Sequence, residues 1–149
     1  MELLVAVDGS REAEEALAYA TDIADAMDGS ITLAYAVDPD VYEVRGSEPI
    51  EDPSDADRRL LIESVEDAEN RGLNILEEAM DFAEELGQDV ETELLYGDPV
   101  VEISDYAEEA DFDAIFVGHR GRSEHTDRLL GSVAKEIVER ATVPVTVVR

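Results

Sequence analysis

Apolar residues along the chain fall into two alternating patterns. Leu3–Val7 is an unbroken apolar run, as expected of a strand buried on both faces. The turn Asp8-Gly9-Ser10 follows, with Ser10 suited to cap a helix. Ala13, Ala16, Leu17, Ala20, Ile23, Ala24 and Met27 then recur at helical spacing, and Asp28-Gly29 ends that helix. Ile31–Val37 is a second apolar strand. Leu61, Val65, Ala68, Gly72, Leu76, Ala79, Ala83 and Leu86 mark a long helix that stops at Gly87. Its middle, Glu69-Asn70-Arg71-Gly72, is weaker and is the place where a kink is expected. Val90–Leu95 alternates apolar and polar residues, which suits an exposed edge strand. Asp98-Pro99 opens a short helix, with the acid as cap and proline in the first turn. Ala114–Val117 is another buried strand. A helix follows from near Gly131 to Arg140, and Val145–Val148 is the last strand.

Five strands thus alternate with four helices, and no internal repeat is visible. Such alternation predicts a single-domain α/β fold over 1–149: a doubly wound, Rossmann-like, five-stranded parallel sheet with helices on both faces. Right-handed crossovers favour the order 3-2-1-4-5. In that order the sheet reverses direction between strands 1 and 4, and ligands bind beyond the carboxyl ends of strands at such a point. The turns Asp8-Gly9-Ser10 and Gly118-His119-Arg120-Gly121 would meet there. The stretch 38–57, rich in Asp, Glu and Pro, reads as a long flexible loop or lid.

Composition narrows the function. The 149 residues carry 39 acids against 11 lysines and arginines, for a formal net charge of −28. Lys135 is the only lysine, and the acids are spread over the whole chain. Duplex nucleic acid and anionic membranes are poor partners for such a surface. A strongly acidic, lysine-poor surface also suits a halophilic protein that must stay soluble in molar salt. At about 1 M salt the Debye length is only ~3 Å, so this surface would not repel an anionic ligand from a distance. There is no cysteine, hence no disulfide or thiolate chemistry. No apolar run approaches the roughly 20 residues that span a bilayer, and Met1–Val7 lacks the basic start of a signal peptide. A cytoplasmic location is expected.

Against this acidic background one stretch stands out. Residues 118–135, G-H-R-G-R-S-E-H-T-D-R-L-L-G-S-V-A-K, hold both histidines and four of the eleven bases. Glycines lacking a Cβ let a ligand approach the backbone and permit positive φ, so two of them three apart can turn several N–H groups toward one anion. Gly131-Ser132-Val133 opens a helix whose first-turn amides, dipole and Ser132 hydroxyl favour a phosphate. Arg120 and Arg122 would add charge at the rim, and His125 belongs to the same set. Neither G-x-x-x-x-G-K-[ST] nor, after strand 1, G-x-G-x-x-G is present. The histidines lack the partners of a zinc site, and His119 and His125 read as exposed loop residues. Ser132 lacks a base and a nucleophile elbow.

Gly118-His-Arg-Gly121, nine further residues, then Gly131-Ser132 resembles the G-x2-G-x9-G-[ST] signature of the universal stress protein family. Leu4–Ser10 resembles that family's first strand and Asp-Gly-Ser turn, and Ala141–Val148 resembles its last strand. The resemblance covers essentially the whole chain. It implies an adenine-nucleotide-binding α/β fold that forms dimers, in the subgroup that keeps the signature and binds ATP. It places Asp8 at the adenosine end and the Ala36 backbone at adenine, in a slot bordered by the small Ala6 and Ala36. It sets Val117, Gly118 and Gly121 along the ribose and phosphates, and Gly131, Ser132 and Val133 at the phosphates. Magnesium is expected with the ATP, held mostly by phosphates and water.

The last strand carries a prediction of its own. Val145 and Val147 lie on an apolar edge strand preceded by Pro144, which invites pairing with a second chain in a homodimer. The first functional reading is an ATP-binding regulatory or protective stress protein with slow or no hydrolysis, since no general base or arginine finger is evident. A nucleotide hydrolase or adenylyl-transferring enzyme is the alternative, with Asp8, His119 and His125 as its only candidate acids and bases. A dimerisation module that binds no nucleotide is the third.

Overall fold

The computed structural model describes residues 1–38, 55–120 and 130–149, the stretch 55–64 by its backbone alone. Five strands and four helices occur among them, in strict alternation: β1 (Glu2–Ala6), α1 (Arg11–Met27), β2 (Ser30–Val37), α2 (Asp55–Glu85), β3 (Val90–Tyr96), α3 (Pro99–Glu109), β4 (Ala114–Gly118), α4 (Ser132–Arg140) and β5 (Val145–Val148). The sheet is parallel throughout and ordered β3-β2-β1-β4-β5. This is the doubly wound α/β fold that the alternation predicts.

Each face of the sheet has its own core. Leu3, Val5 and Val7 point with Leu33 and Phe116 toward α1 and α2. Leu4 and Ala6 point with Ala34, Ile115 and Val117 toward α3 and α4. Consecutive residues of β1 thus bury into opposite cores, which is why the strand is continuously apolar. Leu3, Leu4 and Val5 are completely buried.

The helix boundaries follow local chemistry. Ser10 caps α1 by accepting from the Ala13 amide at 3.1 Å. At its other end Asp28 takes the left-handed conformation (φ 54°) one residue before Gly29, and its amide donates to the Ala24 carbonyl. Asp98 caps α3 by accepting from Val100 and Val101 at 3.0 and 3.2 Å, with Pro99 just inside the helix.

Two expectations for the middle of the chain change. Helix α2 begins at Asp55, inside the stretch expected to be loop, and the rest of that stretch, 39–54, lies outside the described residues. Gly72, read as part of a weaker middle, sits inside a helix that runs unbroken from Asp55 to Glu85, and this glycine serves packing. A Cβ there would meet the Tyr35 ring at 2.6 and 2.8 Å, so its absence lets the helix lie against β2 and β3. The two edge strands are β3 and β5, as predicted. β3 presents Glu91 and Glu93 on exposed positions, a charged edge that discourages pairing, whereas β5 is Val-Thr-Val-Val and half-buried throughout.

Candidate functional site

The strand order reverses between β1 and β4, and a turn follows the carboxyl end of each. After β1 the Val7 amide still donates to the Ala34 carbonyl at 2.9 Å, and the chain then turns sharply. Gly9 supplies the positive φ (80°) of that turn. The Asp8 carboxylate closes it by accepting from the Ser10 amide at 2.9 Å. Asp8 is half-buried and lies two residues beyond Ala6, the last residue of β1 that pairs with β2.

Three of the predicted residues share one face. Ala6 and Val117 are 8% and 7% exposed and belong to the core beneath α3 and α4. Ala36 follows Ala34 by one strand period and faces the same side, half-buried. The small Ala6 and Ala36 therefore lie toward the end of the sheet where Asp8 turns away.

The turn after β4 is tied to both neighbouring elements. His119 donates its amide to the Val148 carbonyl at 2.9 Å and accepts at its own carbonyl from the Gly131 amide at 2.6 Å. This second bond draws the start of α4 against the end of β4, although twelve positions separate the two residues. Gly131 is the N-cap of α4, with no side-chain hydrogen bond to the first turn. Ser132 and Val133 are exposed there, and neither acid nor capping side chain competes within that turn. Gly131 is buried and its amide is spent on His119, so its part is to join the turn to the helix.

Gly118 has a packing reason to be glycine that the sequence did not show. Its φ is not positive. A Cβ on it would lie 2.7 Å from the Glu12 carbonyl carbon and 2.8 Å from its oxygen. The missing side chain admits the first turn of α1.

His119 and Arg120 also differ from expectation. His119 is half-buried rather than exposed, because Arg120 donates its Nε to His119 Nε2 at 3.0 Å. Accepting at Nε2 places the proton of the neutral ring on Nδ1, a buried atom with no hydrogen-bond partner among the described residues. Arg120 does not stand open at the rim: its Nη2 lies 3.1 Å from Glu12 Oε1, with both side chains about one-fifth exposed. Glu12 was not legible as a site residue, since it sits 108 positions away on a helix with many acids. Gly121, Arg122 and His125 lie outside the described residues.

A second concavity lies on the opposite face of the sheet. It is a hollow open to solvent between α1 and α2, lined by Val7, Ala13, Leu17, Ile75, Glu14 and Glu78 among others. Gly9 and Ser10, at the start of α1, also line it, and its two carboxylates oppose binding of an anion. The start of α4 instead has the first-turn amides and dipole of a helix, with no acid in that turn.

The universal stress protein family model matches residues 1–149. A universal stress protein of Methanocaldococcus jannaschii is 31% identical over 147 residues, which span 99% of this chain and 81% of that protein. The structure of universal stress protein UspA from Lactobacillus plantarum superposes with a TM-score of 0.80 at 26% identity, covering 100% of this chain and 97% of the other. A universal stress protein solved in complex with cAMP superposes with a TM-score of 0.68 at 28% identity, covering 100% and 96%. This chain belongs to the universal stress protein family.

Proposed function

We propose that this protein binds an adenine nucleotide, ATP in particular, at the crevice beyond β1 and β4, and acts as a regulatory or protective stress protein. The observation that carries this reading is the hydrogen bond from Gly131 to His119, which sets the start of α4 beside the switch point of the sheet. The arrangement offers a helix dipole and exposed first-turn residues to a phosphate, in a family with a member solved in complex with cAMP. Charge-assisted hydrogen bonds contribute about 1.5–3 kcal/mol each. A few of them would hold a polyphosphate at micromolar strength.

The residues divide the ligand between them. Ala6, Ala36 and Val117 face one side of the sheet and would border the base and sugar. Asp8, in the turn after β1, would meet the nucleoside end. Ser132 and Val133 would receive phosphates, with Gly121 and Arg122 contributing from the intervening segment. Magnesium would enter with the phosphates and take its ligands from them and from water.

Binding rather than turnover is favoured by the state of the candidate bases. One oxygen of Asp8 accepts from Ser10, and Nε2 of His119 accepts from Arg120. The protein is proposed to be a cytoplasmic homodimer that pairs through β5. Val145 and Val147 lie half-buried on a strand with β4 on one side and no strand on the other among the described residues.

Calorimetric titration with ATP, ADP, AMP, cAMP and GTP at high salt tests the reading, on the natural protein and on Gly121→Val. Adenine nucleotides should bind, GTP more weakly, and the valine should weaken ATP by tenfold or more. ATP binding of equal strength in both proteins would show that the site is elsewhere, and no binding of any nucleotide would refute the function.

A further inference from the structure

Arg120 is rooted beside the start of α4, one residue after the carbonyl that accepts from Gly131. Its guanidinium is the described cationic group nearest in sequence to that junction, yet it is bound to an anion of the protein itself. Nη2 lies 3.1 Å from Glu12 Oε1, and Nε is fixed on His119 at 3.0 Å. Glu12 belongs to the first turn of α1, and its backbone lies where a Cβ of residue 118 would be, so the same close approach that requires glycine roots the acid beside the end of β4.

We infer that Glu12 sets the anion affinity of the crevice by competing with ligand phosphate for Arg120. The inference rests on the nucleotide reading above and deepens it. A carboxylate tethered at contact distance acts at high effective concentration, so a ligand must displace it rather than meet a ready arginine. Contact pairs sheltered from water keep their strength in salt that screens the rest of this acidic surface. The competition grows with the charge brought by the ligand. A nucleoside leaves the pair undisturbed, a monophosphate contests it weakly and a triphosphate strongly. Glu12 thereby discriminates among adenine ligands by their phosphate charge, and Arg120 transmits the exchange to His119 and the end of β4.

A double-mutant cycle tests this with ATP and adenosine as probes, by calorimetry on the natural protein, Glu12→Gln, Arg120→Gln and the pair. Glu12→Gln should bind ATP about fivefold more tightly or better and adenosine unchanged, a coupling of the size that contacting residues show. Arg120→Gln should weaken ATP, and in its background Glu12→Gln should bring no gain. A gain that persists without Arg120 would mean that only a repulsive charge was removed, and would overturn the competition. So would ATP binding by Glu12→Gln no tighter than natural, with the nucleotide reading left standing if the natural protein binds ATP. Failure of the natural protein to bind ATP would overturn that reading and the competition together. Urea unfolding of each variant checks that the fold is retained.

Discussion

Replacing Gly118 by alanine adds one methyl group, and the structure gives that methyl nowhere to go. It would lie 2.7 Å from the Glu12 carbonyl carbon, 2.8 Å from its oxygen and 2.9 Å from its Cβ. The nearest of these is about 0.7 Å inside ordinary contact, where repulsion rises steeply. Two of the three atoms are helix backbone, which cannot rotate aside as a side chain would. Relief requires α1 to move off β4, carrying Leu17 and Ala20 away from Phe116 in the core. Overpacking of this kind costs about 1–3 kcal/mol, and the backbone obstruction places this case at the upper end, near 3. For a chain of this size that corresponds to a fall in melting temperature of about 6–12 °C. Gly87→Ala is the control, since a Cβ there meets nothing within 4 Å and only its positive φ (82°) is strained. Its cost should be about 1 kcal/mol. Urea unfolding at fixed high salt gives both numbers. If Gly118→Ala is as stable as the natural protein within about 0.5 kcal/mol, or loses less than Gly87→Ala, the packing argument fails.

Other outcomes follow from the same geometry. Asp98→Ala removes the acceptor of two amides at the start of α3 and should cost about 0.5–2 kcal/mol in urea unfolding, with Asp98→Asn recovering most of it. Tyr106 is held above the usual tyrosine pKa of about 10 by burial first and then by Glu93 and Glu91. Because the folded state keeps its proton longer than the unfolded chain, that contribution is complete below about pH 10 and lost as pH rises through the folded value. Thermal unfolding should therefore show a decline above pH 10 that Tyr106→Phe makes shallower.

Much of the fold was legible because each strand and cap carries its own signal. Leu3-Leu4-Val5 must be apolar at every position when one residue faces α1 and the next faces α4. Ser10 and Asp98 cap helices through contacts two or three residues away, which sequence alone can reveal. The switch point followed from strand order, and the structure has that order. What was not legible depends on packing across long separations. That Gly118 packs against Glu12, and Gly72 against Tyr35, shows only when the distant elements are brought together. The setting of His119 and Arg120 is hidden in the sequence because Glu12, the acid that holds Arg120, is on α1, and Arg120 in turn holds His119. Gly131 reads as a phosphate donor, and only the structure shows that its amide is taken.

The central claim is that an adenine nucleotide lodges where β1, β4 and α4 converge. Backbone amide chemical shifts recorded by NMR during titration with ATP test it most directly. The account predicts saturable shifts at Asp8, Ala36, Val117, Ser132 and Val133. Shifts gathered instead at Glu14, Leu17, Ile75 and Glu78, around the hollow on the other face of the sheet, would contradict it, as would a spectrum that ATP leaves unmoved.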